Sequence, residues 1–127
     1  MSNNSYFIKE QQRNTKRLRN LIADLPSFCE EYFRGIEHTT SILTRINYAY
    51  DLRIFFDFLT KEIDVFQDLS PFSFTLEHLD QVQVLHIEKY LEYTTYYTNP
   101  NNEEQDRQNS EMGKARKLAS VRSLLSY

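Results

Sequence analysis

The sequence predicts an all-α domain, and three observations carry that prediction. Only two glycines and three prolines occur in 127 residues, too few for the tight turns of a β-rich fold. Apolar residues recur at intervals of three and four along most of the chain, the spacing of one helix face. Hydrophobic residues make up 40% of the chain and include nine Phe and nine Tyr, enough to build one compact core at this length.

A basic segment over residues 1–20 leads into the first helix, which the pattern starts near Asn14 or Thr15 and carries through Leu18, Leu21, Ile22 and Leu25. Pro26 then opens a new helix or kinks this one, Phe28, Tyr32 and Phe33 extend its apolar face, and Gly35 ends it. The segment 39–60 is the densest apolar helix. Tyr48, Leu52, Phe55 and Leu59 follow steps of four, three and four, and Ile42, Ile46, Ala49 and Phe56 widen the stripe. So broad a stripe belongs to a central helix packed by several neighbours. Ser41 or Thr40 can cap its first amides. Ser41, Thr44, Arg45 and Asn47 gather in its first turns, where free N–H groups and the positive end of the dipole can meet a phosphate. A capped core helix with no ligand accounts for the same residues.

Residues 61–71 form a connector, with Val65, Phe66 and Leu69 expected under the body while Asp64 and Asp68 face water. Thr75 caps a short helix through Leu76, Leu79 and Val82. Val84, Ile87, Tyr90 and Leu91 carry the period of a third main helix that ends around Tyr93 to Tyr97, where Tyr93, Tyr96 and Tyr97 read as core or rim aromatics. Residues 98–110 contain no large apolar side chain, so a loop is expected over about 98–112. Ser110 or Asn109 then caps a final helix with Leu118, Val121 and Leu125 on one side and Arg116, Ser120 and Ser123 on the other.

Net charge is −3, but its distribution says more than its total. Lys9, Arg13, Lys16, Arg17 and Arg19 against Glu10 give residues 1–19 a charge of +4, and Lys114, Arg116, Lys117 and Arg122 give residues 113–127 another +4, leaving −11 between them. Two basic ends around an acidic body fit elements that face a polyanion. Solvated helix faces fit as well.

Catalytic and metal-binding patterns are not found. His38, His78 and His86 lie far apart with no cysteine pattern, against the spacing of a zinc site. There is no Gly-rich phosphate loop, and acidic pairs such as Glu30-Glu31 and Glu103-Glu104 read as solvated faces. No catalytic residue, cofactor or metal is expected. The single cysteine, Cys29, has no disulfide partner within the chain and reads as a small buried hydrophobe in a reducing compartment, with the cytoplasm as the default. No apolar run reaches membrane-spanning length, and residues 1–5 lack the layout of a signal peptide.

Three segments together resemble the N-terminal, SAM-like core-binding domain of tyrosine recombinases, the phage integrase and Xer family. Thr44, Tyr48, Asp51-Leu52, Phe55, Phe58 and Leu59 stand where that family's second helix carries Thr, Tyr, Asp-Leu, Phe and Leu. Phe74-Thr-Leu-Glu-His-Leu-Asp80 through Ile87-Glu-Lys-Tyr-Leu91 is similar to its middle helices, and Gly113-Lys-Ala-Arg-Lys-Leu-Ala-Ser-Val-Arg-Ser-Leu-Leu125 to its last core-binding helix. The resemblance implies a four-helix domain over residues 14–127 that binds double-stranded DNA through two helices crossing the groove. It implies partners as well: a catalytic domain outside this chain, which would supply the tyrosine nucleophile, and neighbouring protomers. Lys114, Arg116 and Lys117 are the first choices for DNA contact, with Arg122, Ser41, Thr44 and Arg45 next. Arg122 can instead stack on an aromatic ring or pair with Asp51 or Asp57. The competing reading is a helical protein-interaction module, which a contiguous apolar patch away from Lys114 and Arg116 would favour.

Overall fold

The computed structural model describes the backbone of residues 2–97 and 103–127 and the side chains of residues 5–95 and 113–127. The chain is all-α. Four long helices, α1 (Ser2–Ala23), α3 (Ile42–Glu62), α5 (Val84–Tyr97) and α6 (Glu103–Leu125), are joined by the short helices α2 (Phe28–Gly35) and α4 (Leu76–Asp80) and by 3₁₀ turns at Asp64–Phe66 and Pro71–Ser73.

Helix α3 is the axle of the fold. Most of the broad apolar stripe is covered: Ile46, Ala49, Leu52, Phe55, Phe56 and Leu59 are buried, as is Phe58, while Ile42 and Tyr48 are partly buried, and α1, α5, α6 and both 3₁₀ turns pack on the helix. Ser41 is its N-cap, with Oγ accepting from the Thr44 amide at 3.1 Å. The core is largely aromatic. Tyr90 from α5 stands edge-on to Phe55 at 5.0 Å and beside Phe58 at 5.5 Å, and Phe74 bridges Phe56 and Phe66. Offset and edge-to-face pairs of this kind add to the burial of area.

Several boundaries differ from the sequence reading, each for a local reason. Helix α1 begins at Ser2 rather than near Asn14, because residues 5–17 contain no glycine or proline and nothing halts propagation toward the N-terminus. It stops at Ala23, and Pro26 opens α2 by accepting from the Cys29 amide at 2.9 Å. Helix α6 begins at Glu103, so most of the expected loop is helical in its backbone: a run of Glu, Gln, Asp, Arg and Asn lacks apolar residues yet contains good helix formers. Residues 98–102, the side chains of Asn109 and Ser110, and those of Tyr96 and Tyr97 lie outside the described residues. Phe66 is buried as expected, whereas Val65 is 61% exposed; in a 3₁₀ turn adjacent residues point about 120° apart, so only one of the two faces the core. On α6 the buried leucine is Leu124, and Leu125 is 39% exposed. Ser120, expected on the outer side, has no exposure and lies beside Val121 on the inner one.

Side-chain caps pin α4 and the start of α5, whereas α2 begins without one. Thr75 and His78 form a reciprocal capping box at α4, with His78 Nδ1 accepting from the Thr75 amide at 3.0 Å. His86 does the same for the Gln83 amide at 2.9 Å at the start of α5. Two of the three histidines are therefore helix caps, and among the described residues no group of His, Cys, Asp or Glu is placed to hold a metal. No helix among the described residues is long and apolar enough to cross a membrane.

Candidate nucleic-acid interface

Helix α6 is fixed to α3 by an ion pair that is buried at its carboxylate and half-exposed at its arginine. Asp51 has no exposed surface, and both its oxygens accept from Arg116, Oδ2 from Nε and Oδ1 from Nη2, each at 3.0 Å. This side-on bidentate arrangement is the strongest geometry for a guanidinium and a carboxylate. Burial pushes the Asp51 carboxyl above its ordinary value, and Arg116 and then Lys117 pull it back. Ser123 on α6 accepts from the Tyr32 hydroxyl at 2.7 Å, and Tyr127 lies edge-on to the Tyr32 ring at 5.6 Å. The Tyr127 ring passes so close over Gly35 that a Cβ there would overlap it. Gly35 does end α2, but without a positive φ; its use is this close approach.

The seven residues singled out from the sequence do not form one cluster. Ser41 and Thr44 are occupied with each other, since the Ser41 hydroxyl donates to Thr44 Oγ1 at 2.9 Å in addition to accepting the Thr44 amide. Thr44 and Asp51 are seven residues apart, hence on the same side of α3, the side against which α6 docks. Arg45 is turned about 100° from Thr44 and lines a different surface, the groove between α1 and α2. Arg116 spends two donors on Asp51, so it is first an anchor for α6, although its side chain keeps 46% exposure. Asp51 is thus paired with Arg116 and not with Arg122, and Asp57 pairs with Arg53 at 3.4 Å.

That leaves Lys114, Lys117 and Arg122. Lys117 is four and seven residues from Val121 and Leu124, which puts it on the inner side of α6; it is half-buried, with Nζ lying over Gly113. Lys114, Leu118 and Arg122 follow steps of four along a neighbouring row, with the two cations about 12 Å apart along the axis; Lys114 is half-buried like Lys117, and Arg122 is exposed. The outermost face consists of Ala115, Ala119, Arg122 and Ser126, all exposed. It is a narrow surface of small side chains with a cation at one edge.

The basic face of α1 was legible in the sequence, but its position was not. Tyr50 and Arg53 of α3 reach α1 and the residue that follows it: Arg17 donates to the Tyr50 hydroxyl at 2.9 Å and sits over its ring, and Arg53 Nη1 donates to the Asp24 carbonyl at 3.1 Å. Asp51, which holds α6, is turned about 160° from Arg53 around the helix. The two basic termini therefore flank α3 on roughly opposite sides. No protein-family profile, characterised protein or solved structure matches this chain.

Proposed function

We propose that this chain is a DNA-binding domain of the kind that tyrosine recombinases use to clamp a recombination half-site, with α6 as the helix that approaches the duplex. The observation that carries this reading is the division of labour on α6. The Arg116–Asp51 pair joins two segments 65 residues apart, both of which carry the resemblance, and it fixes a helix whose outer face has small side chains beside Arg122, with the half-buried Lys114 on its flank. A major groove admits a helix most closely where its side chains are short. Lys114 and Arg122 would neutralise phosphates, with Lys117 in reserve beside Gly113, and these contacts position the domain. Strand cleavage would belong to a catalytic domain outside this chain. Neighbouring protomers would complete the assembly, in the cytoplasm.

Fluorescence anisotropy on a mixed-sequence duplex at about 50 and 200 mM salt tests the reading, because phosphate contacts give steep salt dependence over that range. Replacing Lys114 and Arg122 together by Ala should reduce the salt slope by roughly two. An unchanged slope in a folded variant removes α6 from the interface. A protein-interaction module is the second reading, and one observation favours it: the groove between α1 and α2 is partly apolar and lies on the α1 side of α3, away from the α6 docking side.

A further inference from the structure

We infer that the first turns of α1 form a basic arm that docks on the acidic, apolar surface at the start of α4 and α5 in a second copy of this chain, joining copies head to tail. The inference does not rest on the DNA reading, since it uses neither α6 nor its cations.

Residues 5–13 of α1 are exposed apart from the half-buried Glu10. Three consecutive large apolar side chains stand among them, Tyr6, Phe7 and Ile8, with exposures of 68, 62 and 52%. Phe7 lies on the same side of the helix as Leu18 and Leu21, eleven and fourteen residues on. Leu18 is buried and Leu21 packs against the core, whereas the helix carries Phe7 past the body. Ser2–Ala23 contains neither glycine nor proline, so the arm does not kink back to cover these side chains on its own chain. Covering them takes another molecule. The arm is also basic: Lys9, Arg13, Lys16 and Arg17 against Glu10 give residues 5–17 a charge of +3. Glu10 pairs with Arg13 at 3.6 Å and Arg17 is engaged by Tyr50, while Lys9 and Lys16 are exposed two turns apart on one face.

The complementary surface lies where α4 and α5 begin. His78 and His86, the third residues of those helices, set their rings against Phe74 at 5.7 Å and Phe66 at 6.0 Å, and these two phenylalanines are 5.0 Å apart. Both helices therefore start on one aromatic pair and leave their first residues outward: Leu76, Val84 and Leu85 are 61, 73 and 54% exposed. Asp80 and Glu88, both exposed, follow Leu76 and Val84 one turn later on the same sides, although Leu85 is followed by Lys89. Over residues 61–92, seven acids stand against Lys61 and Lys89, a charge of −5. The chain thus displays two apolar surfaces of opposite charge. A duplex would neutralise Lys9 and Lys16 but leave Tyr6, Phe7 and Ile8 in water. An anionic lipid surface would cover the arm but leave Leu76, Val84 and Leu85 bare. A second copy accounts for both. The two surfaces differ, so the contact is heterologous and further copies add until a ring closes. Opposite charge steers the encounter and apolar burial holds it. A helix tip covers far less than the roughly 800 Å² per partner of a standard interface, so the association is weak, with a Kd on the order of 10 μM to 1 mM.

Sedimentation velocity of the 127-residue chain from about 10 μM to about 1 mM covers the range of such weak contacts. The weight-average mass should rise with concentration, and should rise less at about 500 mM salt than at about 50 mM. Two charge-reversed chains decide the partner: Lys9→Glu with Lys16→Glu in the arm, and Asp80→Lys with Glu88→Lys on the surface. All four positions are exposed, and native circular dichroism shows that each variant folds. Alone, each should associate about tenfold more weakly than the parent chain. Mixed in equal amounts they should recover the parent's association, because each then meets the opposite charge on the other. Phe7→Ser placed in both chains should abolish that recovery, which attraction between net charges alone would not. A mass of one copy up to about 1 mM, or a mixture that recovers nothing, would overturn the inference. Undiminished association of the surface-reversed chain would do so too, since arms would then pair with arms. So would a chain that stays monomeric yet sediments with phosphatidylserine vesicles through Phe7, because the arm would then be a lipid site.

Discussion

Replacing Arg116 by Met should destabilise the fold in a way that depends on pH, and the structure sets both size and sign. Asp51 is fully buried and receives two hydrogen bonds of 3.0 Å from Arg116. Removing one partner of a buried pair leaves an uncompensated charge and costs about 3–5 kcal/mol; the half-exposed guanidinium places the expectation at the lower end, about 3 kcal/mol. With a urea m-value of about 1.5 kcal/mol/M, the midpoint should fall by about 2 M. The sign follows from the carboxyl's folded-state pKa, which lies above its ordinary 3.8 because desolvation outweighs Arg116. In that direction the contribution is present below the unfolded pKa and is lost as pH rises through the folded one. In Arg116→Met the main opposing influence is gone, the folded pKa rises further, and the loss extends to higher pH. Urea unfolding followed by circular dichroism at pH 4, 5.5 and 7.5 should show a small deficit at pH 4 and the full deficit at pH 7.5. A deficit below about 1 kcal/mol at pH 7.5, or an equal one at pH 4, would refute the clamp; pairing Arg116→Met with Asp51→Leu should recover most of the stability, as buried pairs often can be replaced by apolar ones.

Other outcomes follow from single contacts. Ser41→Ala removes the α3 cap and should cost about 1 kcal/mol, read as a lowered melting temperature. Phe55→Ala, at a position with no exposure, should cost about 3–5 kcal/mol in chemical denaturation. Gly35→Ala should change stability by no more than about 1 kcal/mol, since gained helix propensity offsets a Tyr127 ring that can swing away; a larger loss would mean that ring is held firmly. Burial pushes the Cys29 thiol up to about 12, so at pH 8 a disulfide reagent should label it only as fast as the chain opens.

The central helix was legible because its signals agree. A Ser cap, an unbroken run without Gly or Pro and a wide apolar stripe all specify the same segment, and the structure buries most of that stripe. The short helix at Leu76 was legible through Thr75, although His78 as the reciprocal cap was not foreseen. Helix ends were less legible where polar residues carry the helix on, at Ser2 and at Glu103, because hydrophobic periodicity is silent where nothing is buried. The inner side of α6 was misassigned for a related reason: Leu124 and Leu125 are adjacent leucines, and only the α3 surface beneath them decides which is buried.

The candidate site divides along the same line. The sequence by itself determined the all-α class, the central helix with its cap, and two clusters of cations, because these depend on local periodicity and composition. Only the tertiary structure decided which cations remain free. Pairing Asp51 with Arg116 requires two helices to meet across 65 residues, and nothing local distinguishes Arg116 from Arg122 as the partner. The groove that gathers Arg19, Arg34 and Arg45 is likewise a product of packing. Those residues belong to three different helices, and their proximity follows from how α1 and α2 rest against the start of α3.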